Sequence, residues 1–533
     1  MAVPTDSHPH EKLVRSRQRV SDHGEVFTPA WLVDDMLDLV RDETERIDSR
    51  FLEPACGSGN FLVRVLERKL AVVRARHGSS EPEARHDALL ALLGLYGIEL
   101  LPDNAAECRE RLLGVFGAFV GADAAWVGAA RRVLDLSIVQ GDALAMTDAS
   151  GEHITFPEWA YGTDGPYPRR HVRLDDLTGR SPADPGAEVG AGLQFDVIVG
   201  NPPYQLSTGG SGVQAKPIYN LFVEQAKKLE PRFLVMVTPS RWFSGGMGLD
   251  RFRRSMLADR RLRVLEDFPD SNDVFPGTQI KGGISYWLWN RESPGDVRVA
   301  THDRGTVISV ATRPLVETGA DVFIRYNEGV SILRKVAAVE SADPGGSVAL
   351  PAEKQFMGLV SSIGAFGLDT TFRGSSSRGA DDLTVYRNGG VGYLPRAELR
   401  RELHAVDAWK VFIPRAGSGS DSFPHSILGR PFAGEPGSIS SWTYMYIGPF
   451  RSEDEVDNVI SYIRTRLFRF LVLLHKPSQD ATPRVYTFVP TQDFSRPWTD
   501  ADLYARYGIT PDEVAVIESL VRPMGVVGID FTG

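Results

Sequence analysis

Short apolar runs alternate with amphipathic stretches along the first part of the chain. The runs at 51–53, 95–100, 137–140 and 195–200 are short and strongly apolar, which is typical of buried strands in a parallel sheet. Further along, the pattern predicts helix 217–229, strand 232–238, helix 247–258, strand 262–268 and strand 283–289. Strands that alternate with helices in this way predict a doubly wound α/β domain.

The segment at 51–62, Phe-Leu-Glu-Pro-Ala-Cys-Gly-Ser-Gly-Asn-Phe-Leu, predicts a strand, a turn and the start of a helix. Glu53 ends the strand, and Gly57 and Gly59 keep Cβ atoms away from the turn, so that a ligand can approach its backbone. A glycine-rich turn of this kind fits many nucleotide sites. By itself it therefore identifies no particular ligand.

Asn-Pro-Pro-Tyr at 201–204 follows the apolar run 195–200, so Asn201 is expected at the carboxyl end of a strand, where open α/β sheets bind ligands. The Asn201 side-chain oxygen and the Pro202 carbonyl can accept both N–H groups of an exocyclic amine, which favours a nitrogen lone pair available for attack. The prolines stiffen the loop, and Tyr204 offers a face for a planar base. The alternative is an ordinary Asn-Pro turn after a strand.

In this order the two motifs resemble those of the gamma-class DNA adenine N6-methyltransferases of restriction-modification systems, over roughly residues 20–290. The resemblance implies a Rossmann-like methyltransferase sheet and S-adenosyl-L-methionine as the methyl donor. It implies that the catalytic residues are Asn201, Pro202, Pro203 and Tyr204. It also implies a donor site formed by Phe27, Thr28, Pro29, Glu53, Pro54, Ala55, Cys56, Gly57, Gly59, Asn60, Glu99, Leu100, Asp142 and Ala143.

Several of these residues have individual expected roles. Thr28 and Pro29 fit the N-cap and first position of a helix predicted over 29–43. Glu99 ends a predicted strand and is expected to accept hydrogen bonds from ribose hydroxyls. Asp142 resembles the family residue that contacts the adenine amine of the donor, and Phe275 stands where relatives place a second clamp for an extruded base.

Composition limits the setting of this chemistry. The chain has 533 residues, 42% of them hydrophobic, which is enough for more than one core. Its net charge of −10 argues against general nucleic-acid binding but allows DNA in a locally basic cleft. Cys56 and Cys108 are the only cysteines, which excludes a disulfide framework or a classical zinc site, and the chemistry requires no metal. We find no signal peptide or membrane-spanning apolar run and expect a cytoplasmic protein without membrane contact.

We expect a methyltransferase domain at 1–320 and a mixed α+β target-recognition domain at 321–533. An insertion at about 147–192 is either an ordered DNA-facing flap or a flexible insertion. A recognition domain needs contacts to base edges and phosphates. Its candidate contacts, with ordinary surface charge as the alternative for each, are Lys410, Arg415, Arg469 and Lys476.

The expected reaction is methyl transfer to adenine N6 in double-stranded DNA after the base has been flipped out of the helix. Few residues precede the first donor motif, so we expect no nuclease domain there and a separate cognate restriction endonuclease as partner. The alternatives are N4-cytosine methylation, methylation of ribosomal RNA or protein glutamine, and a catalytically silent DNA-recognition subunit of a defence complex.

Overall fold

The computed structural model describes residue 19 and residues 26–78, 81–162, 165–178, 193–206, 216–243, 245–278, 280, 282–341, 346–415, 427–476 and 481–525. The chain forms two compact units, Met1–Pro314 and Leu315–Gly533. Their boundary lies near the expected one at 320. The assignment of catalysis to the first unit and target recognition to the second stays a prediction.

The strands of the first unit are β1 Phe51–Glu53, β2 Leu95–Glu99, β3 Ile138–Asp142, β4 Thr147–Asp148, β5 Thr155–Gly162, β6 Gly165–Arg173, β7 Val197–Gly200, β8 Gln205–Leu206, β9 Lys216–Pro217, β10 Phe233–Pro239, β11 Leu262–Phe268, β12 Ile284–Asn290, β13 Val297–Asp303 and β14 Thr306–Arg313. Its α-helices are α1 Ala30–Asp38, α2 Arg41–Thr44, α3 Asn60–His77, α4 Glu81–Leu93, α5 Pro102–Val120, α6 Ala124–Ser137, α7 Tyr219–Lys228 and α8 Asp250–Ala258. In the described part of the chain, no helix is both long and apolar enough to cross a membrane.

A ten-stranded sheet forms the centre of this unit, in the order β14-β13-β11-β12-β10-β7-β1-β2-β3-β4. From β1 the chain adds β2 and β3 on one side and then returns to add β7 and β10 on the other. Both neighbours of β1 run parallel to it, with Phe51 opposite Leu95 and Val197. The winding direction therefore reverses beside β1, which confirms the doubly wound α/β fold and locates a ligand crevice at the carboxyl ends of these strands.

The second half of the sheet agrees with the sequence pattern to within about three residues at each end. Helices 217–229 and 247–258 are α7 and α8, and the three later strands are β10, β11 and β12. β12 pairs antiparallel with both β10 and β11. The result is a mixed sheet.

The N-terminal helix differs from the prediction in two respects. Pro29, with φ −63° and ψ 149°, is the N-cap of α1, so Thr28 is not the cap and lies outside the helix. The φ of proline suits both an extended cap and a first helical residue, so the sequence could not separate the two positions. At Val40 the backbone leaves the helical region, with φ −129° and ψ 36°, and the predicted helix 29–43 is divided into α1 and α2.

Within the expected insertion, β5 and β6 form an antiparallel hairpin. Phe156 of this hairpin packs edge-on against Tyr96 of β2, with ring centroids 5.2 Å apart, and against Phe195, at 6.2 Å. The Tyr96 hydroxyl donates a hydrogen bond to the Pro157 carbonyl at 3.1 Å. The base of the hairpin is therefore part of the core, while residues 163–164 and 179–192 lie outside the described ranges.

The second unit contains β15 Asp382–Arg387, β16 Gly390–Pro395, β17 Trp409–Pro414, β18 Phe432–Gly434, β19 Ser438–Ser440 and β20 Tyr444–Phe450. Its helices are α9 Asn327–Ser341, α10 Leu403–Val406, α11 Glu453–Arg464, α12 Arg466–His475, α13 Asp500–Tyr507 and α14 Pro511–Leu520. The strands form two small sheets, β16-β15-β19 and β18-β17-β20. The mixed α+β character expected of this region agrees with these elements.

Candidate active site

One cavity in the first unit collects most of the predicted site residues. Its lining includes Phe27, Thr28, Glu53, Pro54, Ala55, Cys56, Gly57, Asn60, Glu99, Leu100, Asp142, Ala143, Asn201 and Pro203. The predicted residues that do not line it are Pro29, Gly59, Pro202, Tyr204 and Phe275. The proposed amine acceptor and the glycine-rich turn therefore face the same space.

The glycine-rich turn requires its glycines for two different reasons. Gly57 and Gly59 have φ values of +52° and +85°, in the left-handed region that favours glycine. A Cβ atom on Gly59 would also lie 2.6 Å from Cys108 Sγ on α5. Gly57 thus shapes the wall of the cavity, whereas Gly59 allows α5 to pack against the turn.

Glu99 holds this turn in place. Its Oε2 accepts a hydrogen bond from the Gly57 N–H at 2.8 Å, and its Oε1 accepts one from the Leu101 N–H at 3.0 Å. One buried carboxylate therefore connects the turn after β1 to the segment after β2. A carboxylate has about four lone-pair positions, so these bonds leave capacity for ribose hydroxyls, the predicted role of Glu99.

Glu53 is the most buried acid of the site. Its Oε2 has no hydrogen-bond partner among the described residues. Burial raises the pKa of this carboxyl well above its ordinary value, and the nearby Cys108 and Glu99 raise it further. A buried carboxyl oxygen without a partner at the edge of a cavity is suited to a ligand that donates hydrogen bonds.

Asp142 is the acid on the far side of the cavity, at the end of β3. It is exposed, and its Oδ1 accepts hydrogen bonds from the N–H groups of Leu144 at 2.8 Å and Ala145 at 3.1 Å. This side chain therefore caps the turn after β3. Its expected contact with the adenine amine of the donor stays a prediction.

Asn201, directly after β7, has its two side-chain atoms in different environments. Its Nδ2 donates a hydrogen bond to the Val26 carbonyl at 3.1 Å. Its Oδ1 is buried and has no hydrogen-bond partner among the described residues. Because the carbonyl can only accept, this contact fixes the orientation of the amide and leaves the oxygen as the available acceptor.

Tyr204 and Phe275, the two predicted base-stacking residues, contact each other. Their ring centroids are 6.3 Å apart at an interplanar angle of 67°, an edge-on arrangement. The Tyr204 hydroxyl is buried without a hydrogen-bond partner, and burial raises the pKa of this phenol. A base can enter between these rings only after they separate.

The cavity also has walls formed by residues that the sequence pattern did not predict. Asn104 lies in the first turn of α5, and Ile218 and Phe222 lie at the start and on the inner face of α7. The position of Asn104 after β2 was a usable signal, because the helix that follows such a strand begins at the ligand crevice. Ile218 and Phe222 are ordinary apolar residues spaced by one helical turn, a pattern that predicts core packing.

Two candidate DNA contacts in the second unit are wrong. Lys410 is fully buried, and its Nζ donates to carbonyls that include Ser438 at 3.1 Å. Arg469 is also buried, and its guanidinium donates to the Arg522 and Thr465 carbonyls. Both cations satisfy backbone acceptors inside the unit and cannot reach a phosphate. Burial lowers the pKa of Lys410 to about 8.

Comparisons with known proteins agree with the predicted resemblance. Residues 148–275 match the family described as Eco57I restriction-modification methylase. An uncharacterized adenine-specific methylase of Mycoplasma pneumoniae is 38% identical over 112 residues, which are 20% of this chain and 26% of that protein. The chain thus spans about a quarter of the length of this curated relative.

A solved structure shares the fold. The Type IIL restriction-modification enzyme MmeI, determined in complex with DNA, has a TM-score of 0.50 and 11% sequence identity, over 89% of this chain and 69% of that chain. At this identity the similarity supports the α/β fold alone. The resemblance to adenine methylases of restriction-modification systems is confirmed by the two sequence matches. The family match at 148–275 includes β7 and the Asn-Pro-Pro-Tyr loop, but neither match gives a role to individual site residues.

Proposed function

We propose that this chain is a site-specific DNA methyltransferase that methylates adenine at N6 in duplex DNA, as the modification component of a restriction-modification or related defence system. The observation that carries the proposal is the buried Asn201 Oδ1, which has no partner among the described residues and belongs to a residue lining the cavity of the glycine-rich turn. A buried acceptor without a partner is costly, typically by about 1–3 kcal/mol, and is expected where a ligand supplies the missing donor.

Asn201 positions the N6 amine of adenine, which is the nucleophile of the proposed reaction. Its Oδ1, together with the Pro202 carbonyl, accepts hydrogen bonds from the N6 amine, which turns the nitrogen lone pair out of conjugation with the ring. This positioning replaces a strong general base. The Val26 carbonyl supports the step, because it keeps the Asn201 amide from rotating its own N–H groups toward the amine.

S-adenosyl-L-methionine, when bound, supplies an electrophilic methyl group on a sulfonium. The described residues fit such a ligand. The unpartnered Glu53 Oε2 and the Glu99 carboxylate provide acceptors for hydroxyl groups, and the left-handed Gly57 opens the turn backbone to close approach. Phe27 and Leu100 add apolar surface to the same cavity.

DNA is the proposed substrate. The adenine leaves the helix at a cost of a few kcal/mol and stacks between Tyr204 and Phe275, whose present edge-on contact must open to admit it. The family match to restriction-modification methylases and the adenine-specific methylase of M. pneumoniae support adenine in DNA as the substrate. We further propose a cytoplasmic setting and a separate cognate endonuclease as the partner.

The test is incubation of the purified full chain with unmodified genomic DNA and methyl-deuterated S-adenosylmethionine, followed by mass spectrometry of the released nucleosides. Labelled N6-methyladenine is expected from the wild type, and none from Asn201→Ala. Asn220→Ala is the matched control, because Asn220 also has a buried Oδ1 without a partner but does not line the cavity. Labelled N4-methylcytosine would instead change the target base, and absence of any label would favour a DNA-recognition subunit.

A further inference from the structure

The orientation of Asn201 depends on a segment far from it in the sequence. The Val26 carbonyl that accepts from Asn201 Nδ2 belongs to the segment 26–28, which also supplies Phe27 and Thr28 to the cavity. The segment is therefore part of the proposed catalytic geometry. What fixes the segment also fixes the acceptor oxygen of Asn201.

Asn60, the first residue of α3, fixes the segment. Its Nδ2 donates a hydrogen bond to the Thr28 carbonyl at 3.1 Å, and its Oδ1 accepts one from Arg111 Nη1 at 2.8 Å. A carbonyl can only accept and a guanidinium can only donate, so these two partners determine the orientation of the Asn60 amide. Asn60 is thus a fixed link between the segment and Arg111.

Arg111 lies on α5, outside the lining of the cavity, and binds the glycine-rich turn as well. The same Nη1 donates to the Ser58 carbonyl at 2.8 Å and to Ser58 Oγ at 3.1 Å. The positive charge of Arg111 also acts on Glu53, where it lowers the pKa against the dominant effect of burial. One guanidinium therefore contacts the turn directly and the segment 26–28 through Asn60.

We propose that Arg111 is a positioning residue for methyl transfer, which holds the Asn201 acceptor in its productive orientation through Asn60 and the segment 26–28. This inference rests on the proposed function. It assigns to Arg111 an effect on the catalytic step in addition to support of the donor turn. The donor site and the amine acceptor are then joined, from α5 to the loop after β7, by hydrogen bonds and by the backbone of the segment 26–28.

Arg109 provides the matched control. It lies on the same helix and is also partly buried, and its Nε and Nη2 donate to the Ile138 carbonyl at 3.0 and 2.7 Å. Replacement of either arginine by methionine removes a charge and hydrogen bonds to backbone carbonyls. Of the two arginines, only Arg111 is connected to Asn60. The two variants therefore distinguish loss of the link from Arg111 through Asn60 to the segment 26–28, called the relay below, from a general loss of packing.

The kinetic experiment measures methyl transfer by the full chain at saturating S-adenosylmethionine. We expect kcat to fall by about tenfold in Arg111→Met, to recover in part in Arg111→Lys, and to change by less than about twofold in Arg109→Met. If Arg111 only supported the glycine-rich turn, Arg111→Met would raise the KM for S-adenosylmethionine and leave kcat unchanged. That result, or equal losses of kcat in the two methionine variants, would overturn the proposal.

A second measurement needs no turnover. Hydrogen–deuterium exchange in the peptide 26–33 is expected to be faster in Arg111→Met than in the wild type or in Arg109→Met, because the segment has lost its link through Asn60. Unchanged exchange in this peptide would exclude the relay. If the wild type transfers no methyl group to DNA, the proposed function fails, and the exchange result alone decides on the relay.

Discussion

At the scale of single residues, two buried ionisable groups of the first unit should give stability opposite dependences on pH. The pKa of Glu53 is raised well above its ordinary value, because burial disfavours the carboxylate. Between the ordinary pKa of Glu53 in the unfolded state and its raised pKa in the folded state, the folded protein binds more protons than the unfolded one. The free energy of unfolding should therefore fall as pH rises.

Glu53→Gln should remove this fall, because the amide does not ionise. We expect the denaturation midpoint of the wild type to decrease relative to that of the variant as pH increases from about 5 to about 8. The measurement is urea denaturation at several pH values. Parallel midpoints for the two proteins would show that Glu53 ionises as an ordinary carboxyl.

Lys69 should act in the other direction. It is fully buried on α3, its Nζ donates to the Ser49 carbonyl at 2.5 Å, and burial lowers its pKa to about 7. The unfolded state then binds more protons between that value and the ordinary lysine pKa of 10.5, so stability should rise with pH across this window.

Lys69→Met should flatten this rise, because methionine does not titrate. As pH is lowered from about 10 to about 7, the variant should therefore lose less stability than the wild type does. The check is thermal melting of both proteins from about pH 7 to about pH 10. Lys227→Met is a useful comparison, because the Lys227 ammonium forms an ion pair with Asp259 at 2.9 Å. Lys69 has no such ionic partner among the described residues. A wild-type slope that the Lys69 variant retains would contradict the assignment.

At the scale of elements, the close approach of Gly59 to Cys108 should couple the glycine-rich turn to α5, in addition to the hydrogen bonds from Arg111 to Ser58. Gly59→Ala would put a Cβ 2.6 Å from Cys108 Sγ and force alanine into a left-handed conformation. We expect a loss of about 3 kcal/mol in unfolding free energy, the sum of strain and overpacking. Circular dichroism during guanidinium denaturation measures it.

A double-mutant cycle separates the two causes. Cys108→Ala removes the sulfur but not the backbone strain, so Gly59→Ala should cost about 1 kcal/mol less in the Cys108→Ala background. Strict additivity would mean that α5 moves away from the turn without cost. Gly57→Ala is the control, because its Cβ would meet only Phe27, at 3.6 Å, and should show no coupling to Cys108.

Elements also explain which predictions were possible. The strand, turn and acid of 51–62 and the loop after β7 are continuous in sequence, so composition and order were enough to find them. Ile218 and Phe222 enter the cavity only because α7 packs beside the loop, and nothing in their residue type distinguishes them from core. Arg111 has the same limitation, since its partners are separated from it by more than fifty residues.

At the scale of the whole molecule, charge was a poor guide to function. The net charge of −10 hides the fact that Lys410 and Arg469 serve as internal donors to carbonyls. A cation surrounded by backbone acceptors in the fold is indistinguishable in sequence from one on a DNA-facing surface. The apolar pattern, in contrast, depends on local periodicity and predicted the strands β10, β11 and β12 to within about one residue at each end.

The two units allow the predicted division of labour to be tested. Every residue that lines the cavity, from Val26 to Phe222, belongs to the unit Met1–Pro314. If recognition resides in the other unit, a chain ending at Pro314 should bind S-adenosylhomocysteine with the affinity of the full chain but lose site-specific methylation of DNA. Calorimetry gives the affinity, and sequencing of methylated sites gives the specificity. A cooperative thermal transition is required first, because the isolated unit must be folded for either result to count. Retained site specificity would place target recognition within the first unit and leave the second unit with a different role.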